Sequence, residues 1–250
     1  MAYTVATQTL VDTNSKAVVH VDGECSSSGE VSATNIFDSS HSKYSLLTLT
    51  LSGAPTTNFC IGEVLTCDSQ FLRVQDYTSG GTTVVVYRVT SATDVTPLAF
   101  AAGNSGPTTS EAIVGSVSGT SSVTTHGSTV GAFVEKSVSV TSIRWSVSTG
   151  HSAKLFYNGG TADQDICYLT GGGIWDSTNH FTPVGMGAAA GDAGSVLGDI
   201  QIVTVGAADK DTLTIQVGIQ KGAGYEQPLY AKNRSLGYGD NQHGFGDSTQ

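Results

Sequence analysis

A chain of 250 residues with 38% hydrophobic content and 31 glycines can bury a real core, and its apolar residues are mainly those that suit pleated surfaces. Eleven basic against 21 acidic residues, a formal net charge of −10, leave no Lys/Arg cluster to neutralise phosphates, so nucleic-acid binding is excluded as the main role. No window approaches the ~20 apolar residues of a membrane helix, and the N-terminus lacks the basic start and apolar run of a secretory signal. The expectation is a cytosolically synthesised protein with no membrane partner.

Tyr3, Val5, Thr7 and Thr9 alternate with small or polar neighbours at the period of two that marks a strand. The polar turn Asp12-Thr13-Asn14-Ser15 then leads into AVVHV at 17–21, and the pair predicts a hairpin. Residues 25–42 are mixed, with Ile36 and Phe37 as apolar anchors. YSLLTLTL at 44–51 predicts a strand with Leu47, Leu49 and Leu51 on one face, ended by Gly53, Ala54 and Pro55.

Here the texture changes. Phe59-Cys60-Ile61-Gly62-Glu63-Val64-Leu65 is a short apolar run bent at a glycine. Residues 71–74 and 82–89 predict a hairpin across Ser79-Gly80-Gly81, and 96–101 and 111–117 add short strands. Residues 53–120 are thus expected to form an inserted small β-module. Within it, 59–65 and 100–114 are faintly alike, each placing an aromatic before a Glu.

After a polar bridge at 121–129, long strands resume. Ile143, Trp145 and Val147 alternate, which predicts one shared buried face. AKLFY at 153–157, residues 166–169 and, beyond a glycine turn at 171–173, Ile174-Trp175-Asp176 follow. DIQIVTV at 199–205 and TLTIQVGI at 212–219, joined by a turn at 207–211, are the strongest hairpin signal in the chain. Past Gly222 no core-facing period survives, and the aromatics there predict an extended arm. About twelve to fifteen strand candidates with almost no helix signal predict an all-β fold. The expected architecture is a jelly-roll-like β-sandwich from residues 1–52 and 121–221, interrupted by the module at 53–120 and trailed by a C-terminal arm at 222–250.

Catalytic patterns are missing where they would be expected. His20 lies inside an apolar strand and reads as a satisfied, half-buried histidine. His41, His126 and His151 fall beside Ser or Gly in expected loops, where a solvated role is the default. No paired-histidine metal spacing or calcium-loop pattern occurs. Asp163 and Asp165 are a common loop pairing. Asp192, Asp199, Asp209 and Asp211 could converge on loops at one end of the sandwich, but Asp so often starts a turn that no metal site is assigned. Gly115-Ser116-Val117-Ser118-Gly119 offsets its serines wrongly for a nucleophile elbow. The glycine runs at 171–173 and 185–194 precede no helix, so they do not cradle phosphate. Cys25, Cys60, Cys67 and Cys167 match no zinc spacing and are expected as free thiols, although a Cys60–Cys67 bridge across a hairpin stays open. The expectation is a non-enzyme without a cofactor.

Several of these segments carry a pattern. MAYTVATQTLVDTNSKAVVHVDGE at the start resembles the opening of a group of small virion structural proteins of tailed phages, common among phages of marine bacteria. Val140-Thr141-Ser142-Ile143-Arg144-Trp145, Lys154-Leu155-Phe156-Tyr157, Gly173-Ile174-Trp175-Asp176 and Gly198-Asp199-Ile200 continue the likeness. Phe59-Cys60-Ile61-Gly62-Glu63-Val64-Leu65-Thr66 resembles the Phe-x-x-Gly-Glu modules of phage structural proteins, although Cys67-Asp68-Ser69 replaces their glycine-rich continuation. The resemblance covers roughly residues 1–24 and 131–220, and its motifs are compositional, not catalytic.

The resemblance implies a virion role: capsid decoration first, a neck or tail component second. The expected partners are the major capsid protein, other virion proteins and further copies of the chain. Tyr225, Leu229, Tyr230, Leu236, Tyr238 and Phe245 are the candidate partner contacts, since aromatic anchors on a coreless segment suit an arm that orders by docking. The alternative is a neck, tail or fibre component with a glycan-binding sandwich, for which Trp175 is the candidate contact.

Overall fold

The computed structural model describes residues 3–27, 29–39, 42–67, 69–94, 97–98, 112–116, 123–124, 132–133, 137–159, 162–177, 184–185 and 198–226. Seventeen strands and no α-helix occur among them. The fold is all-β, with three antiparallel sheets. The chain forms two compact units, one joining Met1–Ser39 to Glu135–Ala223 and the other joining Ser40–Val134 to Gly224–Gln250.

The first unit opens with β1 (Thr4–Asp12), β2 (Lys16–Glu24) and β3 (Thr34–Phe37). The chain then builds the second unit through β4 (Leu47–Thr50), β5 (Val64–Cys67), β6 (Gln70–Tyr77), β7 (Thr83–Val89), β8 (Ala112–Gly115), β9 (Val123–Thr124) and β10 (Ala132–Phe133). It returns to the first unit with β11 (Val138–Val147), β12 (Ser152–Tyr157), β13 (Gln164–Leu169) and β14 (Gly172–Asp176). Finally come β15 (Val184–Gly185), β16 (Ile200–Val205) and β17 (Thr212–Lys221).

In the first unit a wide sheet runs β1-β2-β17-β11-β14, with β15 also on β11, and a narrow sheet runs β13-β12-β16-β3. Their inner faces carry alternating apolar side chains: Val19, Val21, Ile215 and Val217 on the wide sheet, Leu155 and Ile202 on the narrow one, all buried. Tyr157 reaches between the sheets, its hydroxyl accepting the Val140 N–H at 3.2 Å. The predicted β1–β2 hairpin is present. Its turn closes with the Thr13 N–H donating to the Lys16 carbonyl at 2.8 Å, while Thr13 Oγ1 accepts the Lys16 N–H at 3.1 Å.

The hairpin expected from 199–205 and 212–219 does not form. β16 pairs with β12 and β3 in the narrow sheet, whereas β17 pairs with β2 and β11 in the wide one. Both segments alternate cleanly, but their apolar faces look at each other across the core. Glu30 stabilises the arch between them. Its Oε1 accepts the N–H groups of Gly206 at 2.6 Å and Ala207 at 3.0 Å, and its Oε2 accepts the Thr204 hydroxyl at 2.8 Å. The glycine run likewise is not one turn. Gly171 takes a left-handed φ of 58° where the chain crosses from β13 to the other sheet, and Gly172 and Gly173 already belong to β14.

The second unit is a seven-stranded sheet of order β10-β4-β7-β6-β5-β8-β9. Residues 44–51 shorten to β4, and Tyr44, ahead of it, takes a left-handed φ of 66°. The strand pairs with β7 and packs Leu47, Leu49 and Leu51 into a core with Leu65, Leu72 and Ile113. The sandwich's first segment therefore ends at Ser39 and not at residue 52, since the inward face of β4 is buried among strands of the second unit. The predicted β6–β7 hairpin forms, with Gly80 at a left-handed φ of 73°.

Candidate functional site: an uncovered sheet edge

Six strands facing four leave the wide sheet with excess width. Among the described residues the narrow sheet meets it through β3 against β2 and β13 against β11, and most of β1 is exposed. Register fixes which side chains overhang. Val5, Thr7 and Thr9 sit opposite Gly23, Val21 and Val19, on the core-facing side, yet Thr7 and Thr9 are exposed. Thr4, Ala6 and Gln8 occupy the outer side opposite Glu24, Asp22 and His20. Among the described residues β2 is the only strand beside β1, which leaves the outer row of β1 backbone groups without a ladder.

Edges of this kind are usually blunted by charge, proline or bulges. Residues 4–11 contain no charged residue and no proline in a chain of net charge −10. One bulge, between Thr9 and Val11, leaves Thr4 to Thr9 regular.

Buried polar groups hold this edge in place. At one end of β1, Lys221 donates to Asp12 Oδ1 and, at 2.7 Å, to the Thr13 carbonyl, fastening the first strand to the last. A cation there without its carboxylate would carry the full cost of burial. At the other end, Tyr3 Oη lies 3.4 Å from His151 Nε2, and His151 Nδ1 lies 3.4 Å from Asp211 Oδ2. This second contact does not have the geometry of a hydrogen bond. Asp211 Oδ2 also accepts the Ala208 N–H at 2.7 Å.

Acid, imidazole and hydroxyl in that order resemble a nucleophile relay. However, burial, with Cys25 nearby, pushes the Tyr3 hydroxyl up to about 12, and the tyrosine is enclosed in the sandwich. The chain of groups ties the approach to β1 to two turns. His151 is thus buried, contrary to the solvated role expected from its Ser/Gly neighbours.

The remaining ionisable groups also work locally. Asp199 is fully buried. Its Oδ1 accepts the Ser39 N–H at 2.7 Å and its Oδ2 the Asn35 amide at 3.0 Å. Burial, reinforced by Asp38, pushes its carboxyl up to about 7. On the narrow sheet Asp165 pairs with Lys154 at 2.5 Å and accepts the Tyr168 hydroxyl at 3.1 Å. This contact holds the Asp165 carboxyl below and the Lys154 amine above their ordinary ranges.

In the second unit the Phe-x-x-Gly-Glu segment is a structural turn. Phe59 packs edge-on to Tyr77 with ring centroids 5.4 Å apart, and Gly62 takes a φ of 84°. Buried Glu63 accepts the Cys60 N–H at 2.9 Å, and Arg73 donates to the Gly62 carbonyl at 2.6 Å.

Of the candidate partner contacts, Tyr225 is buried within its own unit, bridging to Ser45, so it is not offered to a partner. Glu226 continues this docking by accepting the Gln75 amide at 2.9 Å. Residues 225 and 226 are therefore not part of a free arm beginning at 222. Leu229, Tyr230, Leu236, Tyr238 and Phe245 lie outside the described residues, as do His41, His126 and Asp192.

Trp175 is half-buried and pairs with Ile143, hence on the core-facing side of β14. Trp145 keeps the side of Ile143 but is only half-buried. It lies over Gly173 and donates its indole N–H to the Thr170 carbonyl at 3.1 Å. All four cysteines are free thiols. Asp199 and Asp211 have separate partners, and no group of three His, Cys, Asp or Glu poised for a metal occurs among the described residues.

The overhang could not be read from sequence, since it depends on which strands share a sheet. Its one sequence signal was the uncharged run at 4–11. Compared with known proteins, the chain matches no family model, no curated protein and no solved structure.

Proposed function

We propose that the protein is a non-enzymatic structural component of a tailed-phage virion, assembled in the host cytoplasm. It decorates or cements the capsid shell by lending sheet edges and its C-terminal segment to the major capsid protein or other virion proteins. The observation that carries this reading is β1, a nine-residue edge strand exposed at Thr4 and from Ala6 to Leu10 and uncharged from Thr4 to Val11. Such an edge is a template for strand addition. Two further points support it. The opening segment that resembles phage virion proteins is the β1–β2 hairpin itself. The ionisable groups of this unit, buried Lys221 and His151 and exposed Glu30, hold strands and turns together.

Purified particles provide the test. Mass spectrometry should find the chain in the virion, and cryo-EM should place it on the outer shell. Its absence from purified particles ends the proposal. The glycan-binding alternative instead requires soluble protein to retain polysaccharide and to lose it with Trp175→Ala. The core-facing side on which Trp175 sits speaks against an open sugar platform.

A further inference from the structure

We infer that β1 pairs antiparallel with β1 of a second copy, joining the wide sheets of two chains into one continuous sheet. The inference rests on the structural reading above and names the partner at that edge.

Symmetry constrains such a pairing. A two-fold axis normal to the sheet lays a strand against its own copy antiparallel and keeps the same face of both sheets on the same side. Every register this axis allows pairs odd residues with odd and even with even. Val5, Thr7 and Thr9 of both copies then share the overhanging side, and Thr4, Ala6 and Gln8 share the outer side.

Side-chain chemistry suits each of these registers. With Thr7 on the axis, Val5 faces Thr9 and Ala6 faces Gln8; with Ala6 on the axis, Val5 faces Thr7. Threonine and valine are strong strand formers, and cross-strand pairs of this kind stabilise sheets. No register over Thr4 to Thr9 opposes like charges, whereas an acidic partner segment would be repelled by a chain of net charge −10. On this uncharged edge two such acidic copies can meet without that penalty. The pairing also supplies a ladder for the outer backbone row, which has none among the described residues, and covers the exposed Thr7 and Thr9.

Thr7→Lys and Thr7→Glu in the full chain test the inference, because Thr7 is exposed and, with Thr7 or Ala6 on the axis, lies opposite or diagonal to its mate. Sedimentation equilibrium should show the unaltered chain as a dimer. Each variant alone should dissociate at least tenfold more readily with its melting temperature preserved. An equimolar mixture of the two should recover the dimer, which also shows that both variants fold.

A monomeric unaltered chain at every concentration overturns the pairing, as does a dimer that Thr7→Lys leaves intact or a mixture that fails to reassociate. These outcomes are independent of the virion role. A dimer that Thr7→Lys dissociates but that never enters particles leaves the pairing standing and sinks the virion role alone.

Discussion

Asp199 shows how one side chain can set the pH response of a fold. Its ordinary carboxyl range lies near 4, and burial beside Asp38 raises it to about 7 in the folded chain. The folded state therefore holds the proton more tightly than the unfolded one. The stabilisation is complete below about pH 4 and is lost as pH rises through about 7, by at most about 4 kcal/mol. Thermal melts should show falling stability across that window, and Asp199→Asn should flatten the slope. A slope unchanged by the substitution would contradict the assignment. Close packing makes a second residue, Gly173, hard to replace. A Cβ there would stand 2.4 Å from the Trp145 ring, so Gly173→Ala should cost about 1–3 kcal/mol in a denaturant melt by forcing the indole aside. Glu63→Ala should cost a similar ~1–3 kcal/mol, because the Cys60 N–H loses its acceptor in a buried turn, and Glu63→Gln should recover most of it.

At the scale of elements, strand existence was legible and strand pairing was not. The alternation of β16 and β17 is as clear in sequence as that of β1 and β2, yet only the latter pair is a hairpin. Period two tells which side chains share a face; it does not tell whether a turn folds the backbone within a sheet or arches it across a core. Glu30, in a segment with no periodic signal, holds the arch, its carboxylate taking two arch N–H groups and the Thr204 hydroxyl. Glu30→Ala should destabilise the first unit by about 1–3 kcal/mol, with hydrogen exchange rising first at Gly206 and Ala207. Uniform exchange across the unit would argue against a local role for the arch.

At the scale of the whole molecule, the end of the chain divides into two parts with different expected effects. Tyr225 is core, and Glu226 is bonded to Gln75. Deleting residues 222–250 should therefore weaken the second unit by about 2–5 kcal/mol, the cost expected for losing a large buried side chain. Deleting only 227–250 should spare its melting temperature and act, under the proposed virion role, on incorporation into particles. If the shorter deletion leaves incorporation unchanged, Leu229, Tyr230, Leu236, Tyr238 and Phe245 are not partner contacts.

By itself the sequence determined that the protein is all-β, where most of its strands run, and which face of each is apolar. Those properties follow from side-chain period and turn chemistry, which act over a few residues. Only the tertiary structure decided that β4 belongs with the second unit, that β16 and β17 face each other across a core, and that most of β1 is exposed. Each of these depends on contacts between segments far apart in the chain, where many pairings satisfy the same local pattern and packing selects one.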